Sequence, residues 1–166
     1  MLSSSISPPS DCTSQSLSDF EALVTEGGAV DPNDLAQRIR KAFRLLFLRT
    51  AIGELIGAGA LKHPDAEYRH EVFTAAHATV SPDEYHVELG WVVVAKSYQG
   101  RRLSTRIVAE LLGLAKNQNI FATTRADNRI MSFASDFGFQ INGKPYSSGR
   151  GYDLVLYVRT AYSFLR

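Results

Sequence analysis

Two arginines, Arg101 and Arg102, stand where an apolar run gives way to an amphipathic one. The turn reads SYQGRRLS over residues 97–104, after the run WVVV at 91–94 and ahead of a helix-patterned stretch, Ser104 to Lys116. A helix start already presents unpaired N–H groups and the positive end of the macrodipole. Further cations there cost stability unless an anion sits among them, so the arrangement points to a phosphate. On the same apolar run, Glu88 and His86 are the groups able to take up a proton. Strand alternation puts both on one face with Gly90, Val92 and Val94. A carboxylate in mostly apolar surroundings holds a proton more tightly, which suits it to act as a general base.

The elements that must position these residues follow from periodicity and punctuation. Ser18 or Asp19 opens a short helix that Gly27 and Gly28 stop. A second helix starts at Asp31 with Pro32 in its first position, and Leu35, Ile39 and Ala42 share one face. Arg44 to Thr50 and Glu54 to Pro64 read as an antiparallel hairpin, with Gly57 and Gly59 marking a close backbone approach. Asp65 caps a helix running on to about Val80. A long strand covers His86 to Lys96, the Ser104–Lys116 helix follows, and Asn119 to Ala126 is a second buried strand. A short helix ends at Gly138, and two more strands are expected, near Gln140 to Tyr146 and Tyr152 to Arg159. The order predicts a mixed sheet around one β-α-β unit.

At this point the residues resemble a known family. The stretch VVVAKSYQGRRLSTRIVAELL resembles motif A of the GNAT (GCN5-related N-acetyltransferase) superfamily, in which a strand leads through Q/R-x-x-G-x-G/A into a helix. ATTRADNRIMSFASDFGF resembles motif B, with Asn128 and Gly138-Phe139 in the characteristic positions. The matched stretch runs from about Glu88 to Phe139. The resemblance implies an α+β fold: a central, mostly antiparallel twisted sheet with a splayed β-α-β cofactor-binding core and flanking helices. It implies acetyl-CoA as cosubstrate, an amine acceptor and direct acetyl transfer. Val92, Val93 and Val94 would lie beside the acetyl group. Gln99, Gly100, Arg101, Arg102, Leu103, Ser104 and Thr105 would surround the pyrophosphate, and Asn128 would bond the pantetheine or pyrophosphate arm. Glu88 lies eleven residues before Gln99, the spacing of the catalytic glutamate in the histone-acetylating branch; His86 is the second candidate base.

Two departures stand out. The second motif-A glycine is Arg102, which serves if its dihedrals are ordinary helical ones, and the final Gly/Ala is Ser104, small enough to cap the helix. In motif B, the tyrosine that protonates the departing thiolate is replaced by Ala134. Tyr146 or Tyr152 from the later loop, or solvent, would have to take its place.

Composition narrows the classes. The 166 residues are 45% hydrophobic and 21% charged, which suits one globular domain. A net charge of +1 makes a nucleic-acid partner unexpected. Cys12 is the single cysteine, with nothing nearby to activate it, and the four histidines lack a carboxylate set, so no metal is expected. Residues 1–17 read as a flexible Ser/Pro-rich tail ahead of one domain over 18–166, with no signal-peptide pattern and no membrane span. A cytoplasmic setting is the expectation, and a homodimer stays open. Three rivals accompany the N-acetyltransferase reading: a non-catalytic acetyl-CoA-binding module, an acetylating toxin acting on aminoacyl-tRNA, and a nucleotide-binding protein. The last lacks both G-x-x-x-x-G-K-[ST] and G-x-G-x-x-G.

Overall fold

The structure, a computed structural model, describes residues 1–28, 30–128 and 135–161. The described residues form eight strands and four helices, and the strands join in the order β1-β2-β3-β4-β5-β8-β6, with β7 on β8. The chain divides into two compact units: Met1–Lys62 with Leu89–Leu114, and His63–Glu88 with Ala115–Arg166. Strand β4, Val87–Val94, contributes to both.

In the first unit, β2 (Arg44–Arg49) and β3 (Leu55–Lys62) make the expected antiparallel hairpin, with a bulge at Leu48/Arg49. Their side chains alternate between two faces. Leu45, Phe47, Ala58 and Ala60 pack against α1 (Ser14–Glu26) and α2 (Leu35–Arg40), through Leu17, Phe20, Leu23, Val24, Leu35 and Ile39. Phe20 sits edge-on to both Phe47 and Trp91. On the other face lie the glycines of β3, under α4 (Leu103–Leu112). A Cβ on Gly59 would stand 2.6 Å from Ile107 Cγ2 and 2.9 Å from Leu111 Cδ1. The close approach anticipated for Gly57 and Gly59 is therefore an approach to a helix.

The expected flexible tail over 1–17 differs most from the structure. Ser3–Ser7 is strand β1, paired with β2 from Ser3↔Arg49 to Ser7↔Leu45. Five residues at a sheet edge are held by main-chain hydrogen bonds and need little apolar side chain, so serine-rich composition does not exclude them. Helix α1 also starts earlier than expected. Its cap is Thr13, whose hydroxyl accepts from Ser16 N at 3.1 Å. Helix α2 is not capped by Asp31, which instead accepts from Asn33 N; its cap is Asp34, at φ 54°.

In the second unit, Asp65 caps α3 (Ala66–Ala75) as expected, accepting from Tyr68 N at 2.8 Å. The helix stops well short of Val80, and His77 beyond it takes φ 53°. The first residues of β4 pair in parallel with β5 (Ile120–Arg125) at Val87↔Ile120 and Glu88↔Phe121. Strand β8 (Asp153–Arg159) runs antiparallel to β5 over six residue pairs, and also pairs with the short β6 (Gln140–Ile141) and β7 (Tyr146–Ser147). Phe73, Tyr85, Phe121, Leu156 and Val158 form its core with Val72 and Ala76. Of the helix expected before Gly138, residues 129–134, including Ala134, lie outside the described residues; Ser135–Phe137 is a single 3-10 turn.

Candidate active site

Strand β4 carries the candidate residues, and it is not a regular strand. Trp91, in its middle, has φ 53°, a left-handed value that a bulky residue adopts only when its surroundings impose it. Its ring packs on Phe20, and the Lys62 ammonium lies 4.5 Å from its centroid. The β4–β5 ladder has already ended at Glu88. The Val92–Val94 segment therefore follows a left-handed irregularity in the strand and lies beyond its ladder with β5.

The turn after β4 is built from main-chain bonds. Ala95 N donates to Ile56 O at 2.8 Å, a 3-10 turn covers Lys96–Tyr98, and the Gln99 side-chain amide donates back to Val94 O at 3.0 Å. Two left-handed residues follow, Gly100 at φ 79° and Arg102 at φ 58°, ψ 25°. The condition set for Arg102, ordinary helical dihedrals, is not met. The turn keeps the backbone that a glycine would give it, and an arginine carries the steric cost of about 1 kcal/mol. Arg102, not Ser104, is the N-cap of α4, and its side chain makes no cap bond. The first main-chain bond of the helix is Arg106 N to Arg102 O, which leaves the N–H groups of Leu103, Ser104 and Thr105 without an intrahelical acceptor. Nothing lies within 4 Å of where a Gly100 Cβ would be, and Arg101 and Arg102 are both exposed. Arg101 stacks on the Tyr98 ring at 5.0 Å.

Glu88 is 3% exposed, a buried carboxylate on a strand of apolar neighbours. The Tyr68 hydroxyl, from α3, donates to Glu88 Oε1 at 3.2 Å. Burial, and after it the charge of Glu88, pushes the Tyr68 phenol far above the usual tyrosine value, while the neighbouring Thr123 works the other way. Tyr146, on β7, is pushed up to about 12, first by burial and then by Glu88, and its buried hydroxyl has no hydrogen-bond partner among the described residues. Both phenols stay protonated throughout the neutral range. Sequence reasoning did not join Tyr68 and Thr123 to Glu88. They are 20 and 35 residues away, and only the packing of α3 over β5 brings them there.

His86 is placed differently from its expected position. It precedes the first residue of β4, is exposed, and its Nδ1 accepts from the guanidinium of buried Arg69. Asn128 follows β5, its main-chain N–H bonded to Arg125 O at 3.0 Å; residues 129–134, which follow it, lie outside the described residues. The Cys12 thiol is pushed up by burial and by Asp11, the reverse of activation. Among the described residues no cluster of three or more His, Cys, Asp or Glu is placed to hold a metal ion, and no helix is long and apolar enough to cross a membrane.

The sequence profile of the Acetyltransferase (GNAT) family matches residues 16–139. The chain belongs to this family. No curated protein matches it in sequence. Among solved structures, Escherichia coli ElaA aligns at a TM-score of 0.72 with 15% identity, covering 96% of this chain and 99% of that one. An acyl-CoA N-acyltransferase from Pseudomonas aeruginosa aligns at 0.72 with 17% identity, covering 96% and 100%. YncA of Salmonella typhimurium, solved with its cofactor acetyl-CoA, aligns at 0.65 with 15% identity, covering 97% and 94%. These likenesses establish the GNAT fold, and the family is one of acetyltransferases. The turn at 99–105 fits a coenzyme A pyrophosphate. It offers free helix N-terminal amides, an unobstructed Gly100 and two exposed guanidinium groups, the donors that a diphosphate requires.

Proposed function

We propose that this GNAT protein transfers acetyl from acetyl-CoA to an amine by direct attack, with Glu88 as general base. The observation that carries the reading is the buried Glu88 carboxylate, held by Tyr68, on the same strand as the left-handed irregularity at Trp91. Bound acetyl-CoA supplies an activated thioester carbonyl. The amides of Leu103, Ser104 and Thr105, with Arg101 and Arg102, hold its diphosphate. A main-chain N–H between Val92 and Val94 donates to the carbonyl oxygen as negative charge develops there. Glu88 removes one proton from the acceptor ammonium, directly or through a water. The free amine forms the new C–N bond as the C–S bond breaks; the nitrogen then releases its surplus proton to solvent, and the thiolate takes one up from solvent. Tyr68 orients Glu88 rather than acting on substrate. His86 has its Nδ1 committed to Arg69, so Glu88 is the preferred base.

Replacing Glu88 by Gln tests this. Size and most hydrogen bonding are kept, but the basic oxygen is lost. Calorimetry should show acetyl-CoA affinity nearly unchanged, while the rate with an amine falls about 10²–10⁴-fold. The loss should shrink at high pH, where free amine is abundant. A mutant with wild-type rate but lower melting temperature would make Glu88 a structural carboxylate. One second reading has a residue behind it: Ala134 in place of the usual tyrosine favours binding of acetyl-CoA without transfer. A wild-type protein that binds acetyl-CoA yet acetylates none of a panel of small amines, amino acids, polyamines and lysine peptides would establish that reading instead.

A further inference from the structure

We infer that the acceptor is an amine that also carries an anionic group, a carboxylate or a phosphate, several bonds from its nitrogen, and that Arg150 receives this anion. The inference rests on Glu88 as the amine end of the site and names what lies beyond it. Residues Phe121, Thr123 and Arg125 alternate onto one face of β5. Glu88 is in register with Phe121 and accepts from Tyr68, and Thr123 is near enough to influence the same phenol. One pleat further on, Arg125 lies 4.4 Å from the centroid of the Tyr152 ring, and Arg150 lies 5.2 Å from the same centroid. From the Glu88 level to the Arg125 level is four residues of strand, about 13 Å. The long side chains at both ends shorten the gap a ligand must span.

The two guanidinium groups differ. Arg125 is satisfied by Asp127, through Nε to Oδ1 at 3.1 Å and Nη2 to Oδ2 at 3.2 Å. Arg150 is exposed and makes no ion pair among the described residues; the contact of its guanidinium is the Tyr152 ring. Its backbone, however, is fixed. Arg150 N donates to Ser148 Oγ at 3.0 Å, Gly149 N to Ser147 Oγ at 3.1 Å and Ser148 N to Tyr152 O at 3.0 Å, with Gly149 and Gly151 both left-handed. A loop built this way returns a cation with no ion pair among the described residues to a ring that another cation already occupies. With one carboxylate for two guanidiniums, an anion bound at Arg150 removes the imbalance.

Two orphaned phenols point the same way. The hydroxyls of Tyr146 and Tyr152 are buried without a partner among the described residues. Leaving such a group unmade is costly, so each is a donor waiting for an acceptor. Tyr146 pairs with Leu154, which also pairs with Arg125, and it lies within the field of Glu88. It therefore stands level with Arg125 in the sheet, at the end of the span where the anion of such an acceptor would sit.

The test is a series of ω-amino carboxylates of increasing chain length, each assayed beside the n-alkylamine and the diamine of matching length, with rates corrected for the fraction of free amine. The wild-type kcat/KM should pass through an optimum with length and there exceed the matched alkylamine by about tenfold or more, the scale of one charge-assisted bond. Replacing Arg150 by Ala should cut that preference to less than about twofold, and Arg150→Glu should turn it toward the diamine. A flat length profile, or a wild-type preference for diamines, overturns the inference while leaving amine acetylation in place. If no amine is acetylated, binding is read instead, by calorimetry on the acetyl-CoA-loaded protein. Binding of the ω-amino carboxylates that Arg150→Ala abolishes supports the anion site; absence of binding overturns it. Either binding result is separate from the failure of the transfer reaction itself.

Discussion

Arg102 is the residue at which sequence and backbone disagree most sharply. A left-handed cap suits glycine, and the chain has put a long cation there. Replacing it by Gly should relieve about 1 kcal/mol of backbone strain. For a chain of this length that corresponds to a rise of roughly 2–4 °C in melting temperature. The same change should weaken acetyl-CoA binding by roughly 1.5–3 kcal/mol if the guanidinium lies on a phosphate. Calorimetry and a melting curve together decide it, since a gain in stability with unchanged affinity would leave the arginine with no role in binding. The tyrosines around Glu88 make a second prediction. Tyr146 titrates near 12 in the folded state, pushed up by burial and by Glu88, and Tyr68 is shifted further the same way. An unfolded tyrosine loses its proton near pH 10. Between about pH 10 and 12 the unfolded chain therefore binds fewer protons than the folded one, and stability falls as pH rises. Chemical denaturation across that window should show a shallower fall for Tyr146→Phe than for the wild type. Glu88 could be found from its type and its apolar neighbours. Tyr68 and Thr123 could not, because nothing local in a helix and a strand so far apart in sequence announces that they meet.

At the level of elements, alternation and turn chemistry made the β2–β3 hairpin, β5 and β8 legible, and Gly57 and Gly59 correctly marked a close approach. The price of that approach can be measured. A Cβ at Gly59 would press on Ile107 and Leu111 of α4 at distances no real contact keeps. Gly59→Ala should destabilise by about 1–3 kcal/mol, the usual cost of overpacking. Urea denaturation of Gly59→Ala with and without Ile107→Leu, which moves the branch away from Cβ, should show part of that loss recovered. A loss of similar size in both backgrounds would mean that the strand itself, not α4, objects to the side chain. What was not legible has a common cause. Edge strand β1 is held by its backbone, so its serines carry no apolar signal. The starts of α2 and α4 rest on left-handed Asp34 and Arg102, residues that no capping preference singles out for that conformation. The left-handed irregularity in β4 falls on Trp91, in a run that reads as an unbroken strand. In each case tertiary packing overrides a local preference.

For the whole molecule, the order of elements and the two motifs sufficed to anticipate the family, while the proposed acceptor end depended on contacts that only the folded chain displays. Its net charge of +1 gives no long-range field to draw in an anionic cosubstrate. On the proposed reading, recognition of coenzyme A comes from the local donors at 99–105, and this makes a prediction about global stability. A ligand that binds only the folded chain stabilises it by RT ln(1 + [L]/Kd), about 2.7 kcal/mol at a hundredfold excess over Kd. At 2–4 °C for each kcal/mol, acetyl-CoA at that excess should raise the melting temperature by roughly 5–10 °C. The shift should shrink as salt is raised from low to physiological strength, because the arginines proposed to meet the phosphates are exposed and screened. In Arg101→Ala and Arg102→Ala the shift at the same ligand concentration should be smaller and its salt dependence weaker. ATP carries phosphates but no pantetheine arm, so at equal concentration it should give much less. An equal shift from ATP would mean that the turn binds phosphate without regard to the rest of the cosubstrate. The motif would then have supplied an anion site, and the specificity for acetyl-CoA would have to be sought in other residues.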